Sequence, residues 1–343
     1  MSNKENMTAT ERKSHCEPTV YQLHSATAGI KILGERYLES DTQINCDWTG
    51  SGFEMDIEHA GGEIVFTAAA SANCFFRAYV DGETWEKSDY EDPAFFLVTT
   101  EISRISLRDV PAGKHRIKLI KVTGYTLARA QVMSVSLCGT ICGEAPQKNP
   151  LFIEFVGDSI CCGWGTIGNH VGTYTDQDGT LAYPLKIAKT LNADYAVTAL
   201  SGQGLLCGNP GMTDGYLYGS ALRSRDHEYS FARKPDIVVI NIGTNDFSLR
   251  KEHNIDAEKF KASYLAFLNT VAEKNGPDCK IYCLYKTMND TFHEVLLEAC
   301  SEFGAAVKPV TTFEMTRTAS GHPTIEENIQ YTADILKLLG YGA

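Results

Sequence analysis

The chain has 343 residues, 43% of them hydrophobic, which is enough to bury the cores of one large domain or two ordinary ones. Its formal net charge of −12 at pH 7 would repel a phosphate backbone, so composition argues against nucleic acid as a partner. The first twenty residues carry neither the apolar core of a secretory signal nor an Arg-rich amphipathic pattern, and no later run is long enough to span a bilayer. We therefore expect a protein that binds neither nucleic acid nor membrane.

The eleven cysteines form no CxxC pair and no His/Cys cluster at zinc spacing. Several of them, such as Cys279 and Cys283, fall in apolar runs where a free thiol behaves as a small hydrophobic side chain. An odd number of unpaired thiols favours a reducing compartment. The sequence thus predicts a cytoplasmic protein with no structural metal.

Residues 1–28 form a polar segment, in which residues 20–23 are apolar enough to add an edge strand. In the next stretch, residues 29–143, polar and apolar residues alternate with a period of two, and turn signals such as Asp81-Gly82 separate the alternating runs. Many short strands without a long helix predict an all-β sandwich or jelly roll over residues 29–143. Residues 144–150 are polar and rich in proline, as expected of a linker.

After this linker the hydrophobic period changes. Apolar runs now alternate with helical patterns, and the last helical pattern starts at a capping box formed by Thr324 and Glu327. This alternation predicts an α/β domain over residues 151–343, with a parallel sheet covered on both faces. The predicted strands are residues 151–156, 194–200, 236–242, 280–285 and 305–310, and the predicted helices before the last are residues 183–191, 256–274 and 289–303.

The first strand of this domain runs into Gly157-Asp158-Ser159, a sharp turn that presents a serine hydroxyl. A serine is a weak nucleophile unless a base activates it and hydrogen-bond donors hold the oxyanion of the transition state. Three later loops supply such groups: a glycine loop at 201–204 offers main-chain N–H groups, Asn245 offers a side-chain amide, and His322 offers a base. Each motif is weak alone, but all of them end or follow strands of one α/β domain.

In this order and spacing, the four loops resemble the blocks of the SGNH or GDSL-type hydrolases. The preceding β domain, with VDG (80–82) and PAGKHRIKLIK (111–121), and the motifs SGQG (201–204), PDIVVINIGTNDF (235–247) and GHP (321–323) are similar to carbohydrate esterase family 2. The resemblance implies a jelly-roll sandwich followed by a three-layer α/β domain with a flavodoxin-like parallel sheet. It also implies deacetylation of acetylated sugars or oligosaccharides without a cofactor.

By this resemblance, Ser159 is the nucleophile, His322 is the base, and the oxyanion hole is formed by the N–H groups of Ser159 and Gly202 with the Asn245 amide. One block departs from the family pattern, because the position three residues before His322 holds Ala319 instead of Asp. We therefore expect a Ser-His dyad, with Glu314 as the alternative source of a carboxylate.

Further expectations are less specific. Trp164, Asp158 and Asn209 lie near the predicted site in sequence and are candidates for substrate binding. The alternatives are buried packing for Trp164 and a connecting loop without a binding role for the segment that holds Asn209. If the sandwich binds carbohydrate itself, Trp48, Trp85 and Tyr90 are its best candidates for stacking on a sugar ring. The alternative, which we favour, is that the sandwich packs against the α/β domain and shapes one side of its cleft. Two other functions remain open at this point: a lysophospholipase or thioesterase on the same scaffold, and a glycan-binding protein that does not catalyse.

Overall fold

A computed structural model describes residues 16–167, 173–208, 211–218, 228–285, 292–304, 306–311 and 321–342 of the chain. Within these ranges, short antiparallel strands come first and an alternation of strands and helices follows. This order confirms the predicted fold class, an all-β sandwich followed by an α/β unit. None of the helices in the described ranges combines the length and the apolar character needed to cross a bilayer.

The strands of the sandwich alternate between buried and more exposed residues, as the period of two in the sequence requires. Val20 lies on an edge strand and is exposed, whereas Phe66 and Ile105 point into the core. The strands are β1 (Thr19–Gln22), β2 (Ile30–Leu33), β3 (Ile44–Cys46), β4 (Gly52–His59), β5 (Gly62–Ala70), β6 (Cys74–Val80), β7 (Glu83–Thr84), β8 (Phe96–Val98), β9 (Ser103–Val110), β10 (Gly113–Lys121), β11 (Ala130–Leu137) and β12 (Gly139–Ile141).

These strands form two antiparallel sheets that enclose one hydrophobic core. One sheet has the order β1-β11-β5-β9, with β3 also paired to β11, and the other has the order β12-β4-β10-β6-β7, with β2 and β8 paired to β4 and β6. Strand β1 lies within the segment 1–28 and pairs with β11, so residues 20–22 do provide an edge strand. The limits of the domains remain the prediction made from the sequence.

The second part of the chain contains a parallel sheet with the order β14-β13-β15-β16-β17, which is the flavodoxin-like order. Its strands are β13 (Phe152–Gly157), β14 (Asp194–Ala199), β15 (Ile237–Asn241), β16 (Lys280–Tyr285) and β17 (Val307–Thr311). The helices are α1 (Ser159–Cys162), α2 (Tyr183–Thr190), α3 (Met212–Gly215), α4 (Thr244–Ser248), α5 (Ala257–Asn275), α6 (His293–Phe303) and α7 (Ile325–Leu338), with 3₁₀ turns at Tyr174–Asp176 and Gly179–Leu181.

Helices cover both faces of this sheet, which gives the three layers that the resemblance implied. Alternate strand residues point in opposite directions: Val238 and Ile240 pack with α5 and α6, whereas Ile237 and Val239 pack with α2 and α7. Strands buried on both faces read as continuous apolar runs rather than alternating ones. This explains why the sequence located the five strands to within about two residues at most ends.

Buried polar contacts join the sandwich to the parallel sheet. Arg36, just after β2, places its Nε atom 2.5 Å from Oε1 of Glu154 in the middle of β13. Lys31 of β2 reaches Asp194 at the start of β14, with 2.7 Å between Nζ and Oδ1. The loop after β3 also contacts the second part, where the Tyr195 hydroxyl donates to the Gly50 carbonyl at 2.7 Å. The two parts therefore share a packed, polar interface.

Candidate active site

The predicted serine lies at the point where the order of the parallel sheet reverses. Strand β13 has β14 on one side and β15 on the other: the chain runs from β13 outward to β14 and then crosses back past β13 to β15. At the end of β13, Gly157 pairs with Ala199 of β14 and with Asn241 of β15, so the three strands end at one level. Ligands of open α/β sheets bind in the crevice outside such a reversal point. Ser159, two residues past Gly157, opens α1 at this crevice.

The structure places the predicted base next to the predicted nucleophile. Nε2 of His322 lies 2.7 Å from Oγ of Ser159, which is hydrogen-bonding distance. His322 lies two residues before Thr324, the N-cap of α7, whose hydroxyl accepts from the Glu327 N–H while the Glu327 carboxylate accepts from the Thr324 N–H. This capping box, predicted from the sequence, fixes the start of α7 and with it the loop that carries His322.

Asp158 precedes the serine and is almost fully buried. Its Oδ1 atom accepts from the Ile160 N–H at 3.1 Å, which caps α1, and its Oδ2 atom accepts from the Asn245 amide at 3.3 Å. Burial away from water raises the pKa of this carboxyl group to about 7, because the charged form is poorly solvated there. Both of these partners are protein groups, and contact between Asp158 and a substrate stays a prediction.

The Asn245 side chain lies in the same crevice, on the first turn of α4 after β15. Its Nδ2 atom donates to the Gln203 carbonyl at 2.8 Å and, more weakly, to Asp158 at 3.3 Å. An amide nitrogen has two hydrogens, so the longer bond to Asp158 is the one that must be shared or released when Asn245 donates to an oxyanion. The contact with Gln203 ties Asn245 to the glycine loop, a link that the sequence did not reveal.

Gly202 follows β14 in the same glycine loop. Its φ angle is +78°, a left-handed conformation that favours glycine, and no heavy atom lies within 4 Å of the position that a Cβ atom would take. Gly202 therefore faces open space on the side where a side chain would stand, and donation by its N–H group to an oxyanion stays a prediction. The structure thus gathers Ser159, His322, Asn245 and the Gly202 loop at one edge of the sheet.

The remaining candidates divide into observed and undescribed residues. Trp164 is half-buried beside the site, with 6.4 Å between the centroids of its ring and the His322 ring. Asn209, proposed for substrate binding, lies outside the described residues, as do Ala319 and Glu314, which bear on the orientation of His322. The substrate-binding role of Trp164 and Asn209 accordingly remains a prediction.

The thiols next to the serine are poor competitors for the role of nucleophile. Cys161 and Cys162 are buried in α1, and Sγ of Cys161 lies 2.7 Å from the Tyr183 hydroxyl. Burial raises the pKa of the Cys162 thiol to about 12 and that of Cys161 well above its usual value, so the reactive thiolate is disfavoured.

Over the described part of the chain, no group of three or more His, Cys, Asp or Glu side chains is arranged to hold a metal ion.

Two sandwich residues support the glycine loop, a role that no pattern in the sequence indicates. Trp48 and Tyr125 are buried, with ring centroids 4.8 Å apart, and they pack against Leu200 directly before the glycine loop. Trp48 is 1% exposed, so the expectation that it stacks on a sugar is wrong; it is a packing residue. Both residues lie in loops far from the catalytic motifs along the chain, and no local pattern marks them. The half-buried Trp85 and Tyr90 keep an accessible part.

Comparison with known families agrees with the geometry. Residues 155–337, more than half of the chain, match the model of the GDSL-like Lipase/Acylhydrolase family. The match confirms the resemblance inferred from the four loops.

Several curated proteins are similar over much of the chain. The chain is 30% identical over 264 residues to the cellulase/esterase CelE of Acetivibrio thermocellus, covering 74% of this chain and 31% of CelE. It is 23% identical over 269 residues to an acetylxylan esterase / glucomannan deacetylase of Cellvibrio japonicus, covering 74% of this chain and 70% of that protein. The chain thus spans about a third of the length of CelE.

Solved structures resemble both parts of the chain. A family two carbohydrate esterase from Clostridium thermocellum in complex with cellohexaose matches with a TM-score of 0.79 and 27% identity, covering 91% of this chain and all of that one. A family two carbohydrate esterase from Cellvibrio japonicus matches with a TM-score of 0.80 and 18% identity, covering 94% and 99% of the two chains. The second likeness shows the fold alone, and both extend across the sandwich as well as the parallel sheet.

Proposed function

Since the chain belongs to the GDSL-like Lipase/Acylhydrolase family, we propose that it is a carbohydrate O-acetyl esterase with Ser159 as its nucleophile. The observation that carries the proposal is the 2.7 Å separation between Ser159 Oγ and His322 Nε2 at the carboxyl edge of the parallel sheet. The substrate class is supported by the relatives, which include a cellulase/esterase, an acetylxylan esterase / glucomannan deacetylase and a family two carbohydrate esterase bound to cellohexaose.

In the first half of the reaction, Ser159 Oγ attacks the carbonyl carbon of the acetyl group while His322 Nε2 takes the hydroxyl proton. The carbonyl oxygen gains a negative charge in the tetrahedral intermediate. Three donors stabilise this charge: the main-chain N–H groups of Ser159 and Gly202 and the Asn245 amide. Their stabilisation of the transition state is largest when they are already in place before the reaction. The intermediate then breaks the bond to the sugar oxygen, which receives the proton from His322.

In the second half, water replaces the sugar. His322 takes a proton from the water molecule, whose oxygen attacks the acetyl group on Ser159 and forms a second tetrahedral intermediate. Collapse of this intermediate breaks the bond to Ser159 Oγ, which regains its proton from His322, and acetate leaves. The same oxyanion donors serve both halves, and the reaction uses no group beyond the protein side chains, its backbone and water.

For the orientation of His322 we propose a dyad, in which a backbone carbonyl rather than a carboxylate accepts from the second ring nitrogen. The reason is the sequence itself, because Ala319 stands where the family has Asp. Glu314 is the alternative acceptor. Replacing Glu314 by Gln separates the two, since a dyad keeps its activity and a Glu314-dependent triad loses it by several orders of magnitude.

The cytoplasmic location also stays our proposal. The eleven cysteines are free thiols in the structure. Thiols persist in reducing compartments, which supports the proposal. Cell fractionation of the native organism with an antibody to this chain tests it, and recovery of the protein from the culture medium would contradict it.

The test of the function is hydrolysis of an acetylated xylo- or cello-oligosaccharide and of an aryl acetate. Ser159→Ala should abolish both activities and the transient acetyl-enzyme seen by intact-protein mass spectrometry. Ser301→Ala, which removes an exposed serine from α6, is the matched control and should behave like the wild type. Acetate release that survives Ser159→Ala would overturn the proposal.

A chain-length series of aryl esters distinguishes the other functions on this scaffold. A carbohydrate O-acetyl esterase should lose activity beyond two to four acyl carbons, as a pocket for a small acyl group requires. Activity that rises with acyl length would identify a lysophospholipase or thioesterase instead. Tight binding of the oligosaccharide with no release of acetate over many hours would identify a non-catalytic binder.

A further inference from the structure

The Asp246 side chain lies between the two segments that carry the proposed oxyanion donors, the glycine loop and the first turn of α4. It is completely buried, and its two oxygens accept three main-chain hydrogen bonds. Oδ2 accepts from the Leu205 N–H at 2.7 Å, and Oδ1 accepts from the N–H groups of Leu206 at 2.8 Å and Cys207 at 3.2 Å. The carboxylate, which belongs to α4, therefore binds the backbone that follows the glycine loop.

These contacts connect the two donor residues by their immediate neighbours. Leu205 follows the glycine loop that contains Gly202, and Asp246 directly follows Asn245. Asn245 itself donates to the Gln203 carbonyl at 2.8 Å. Two consecutive residues of α4 thus bind residue 203 and residues 205–207 of the other segment.

Gly204 shows how closely the glycine loop and α4 approach each other. A Cβ atom at Gly204 would lie 2.4 Å from three atoms of the Asp246 carboxyl group, closer than real Cβ contacts come. Only glycine lets the backbone pass this close to the carboxylate. A buried carboxylate is expensive to desolvate, and the three N–H donors offset that cost with charge-assisted hydrogen bonds.

We propose that Asp246 is a positioning residue, whose carboxylate clamps residues 205–207 and so holds Gly202 and Asn245 in the relative placement that the oxyanion needs. The inference rests on the esterase function proposed above. Asp246 does not contact the reacting atoms in this scheme, because its oxygens are directed to the backbone N–H groups. Oxyanion donors act through preorganised geometry, so a loop displaced by a few tenths of an ångström loses transition-state stabilisation without losing the substrate.

Asp246→Asn is the informative substitution, because it keeps the shape of the side chain but turns one acceptor oxygen into an N–H₂ group. That group would face a backbone N–H donor, so at least one clamp bond is lost. We expect kcat on the aryl acetate to fall about 10- to 100-fold, the effect of losing a hydrogen bond to a charged group. KM should change less than about threefold, since the oxyanion contacts that the clamp positions are made in the transition state and not with the bound substrate.

Asp194→Asn is the matched control. Asp194 is also a buried carboxylate of the parallel sheet, but it lies at the amino end of β14, where Lys31 and Arg233 bind it. This substitution should lower the stability of the protein and leave kcat per folded molecule unchanged. An equal fall of kcat in both variants would mean that loss of any buried carboxylate disturbs the site, and it would overturn the specific role of Asp246.

Amide hydrogen exchange gives a readout that does not depend on activity. In the wild type, the N–H groups of residues 205–207 should exchange slowly, and Asp246→Asn should speed their exchange while leaving β13 and α5 protected. Unchanged exchange at 205–207, or wild-type kcat in Asp246→Asn, would overturn the clamp. If the wild type proves inactive on every acetyl ester, the esterase function fails, and exchange at 205–207 still decides whether the clamp exists.

Discussion

His322 Nε2 lies 2.7 Å from Ser159 Oγ, although 163 positions separate the two residues along the chain. Ser159 follows the first strand of the parallel sheet, and His322 follows its last strand and precedes the last helix. Parallel strands bring their carboxyl ends to one edge, so residues from opposite ends of a domain meet there. Substitution of either residue therefore tests the proposed roles of the pair directly.

Loss of the base should slow catalysis without preventing substrate binding. We expect His322→Ala to lower kcat on an acetyl ester by about 10²- to 10⁴-fold, the range typical of a positioned general base. Steady-state kinetics on the purified variant measures this. His253→Ala removes an exposed imidazole from the same part of the chain and should retain wild-type kinetics. A His322→Ala variant within tenfold of the wild type would contradict the assignment.

The Asn245 amide should act only on the transition state. Asn245→Ala is expected to cut kcat by about 10²- to 10³-fold with little change in KM, as for other oxyanion donors. Asn245→Asp should be at least as harmful, because it removes the donor and brings a second carboxyl group to the side chain of Asp158, which now lies 3.3 Å from the amide nitrogen. Asn269→Ala, on the outer face of α5, is the control. A change confined to KM would contradict a role in the oxyanion hole.

The sequence was sufficient where structure depends on local pattern. The capping box at Thr324, the continuous apolar runs of the parallel strands and the turn at Ser159 are all readable within a few residues, and the structure contains each of them. Contacts between distant loops were not readable in this way. The packing of Trp48 against Leu200 depends on how the sandwich docks on the sheet, and a tryptophan has the same sequence signature whether it is buried or binds a sugar.

The buried ion pair between the two parts of the chain should be costly to break from one side. Arg36 donates to Glu154 at 2.5 Å, and its guanidinium lies 4.3 Å from the centroid of the Tyr216 ring. Arg36→Met should lower the free energy of unfolding by about 3–5 kcal/mol, because it leaves the Glu154 carboxylate buried without its partner. Urea denaturation measures this change.

A second substitution separates the lost charge from the lost packing. Adding Glu154→Gln to Arg36→Met should restore part of the stability, since the uncompensated charge is then gone. As a control, Arg116→Met breaks an exposed pair with Asp56 on the sandwich and should cost less than about 1 kcal/mol. A double variant that is less stable than Arg36→Met alone would contradict this account.

Asp158 should make the stability of the protein depend on pH in an unusual direction. Burial raises its pKa to about 7 in the folded protein, whereas an aspartate in the unfolded chain titrates near about 4. Between these values the folded state keeps a proton that the unfolded state has lost, so the free energy of unfolding falls as pH rises through this window and levels off above about 7. Asp158→Asn removes this effect and retains a good N-cap for α1.

Urea denaturation of the wild type and of Asp158→Asn at pH 5 and pH 8 measures the effect. The stability of the variant relative to the wild type should rise by about 3 kcal/mol between these pH values. The reason is that the window between the two pKa values, about 4 and about 7, overlaps the measured range over about two pH units. Asp56→Asn is the contrasting control, because the hydrogen bond from Arg116 lowers the pKa of Asp56. Its stability relative to the wild type should therefore stay constant from pH 5 to pH 8. Parallel pH curves for the wild type and Asp158→Asn would show that the buried carboxyl group is charged throughout this range, and that Asn245 faces an anion rather than a neutral acid.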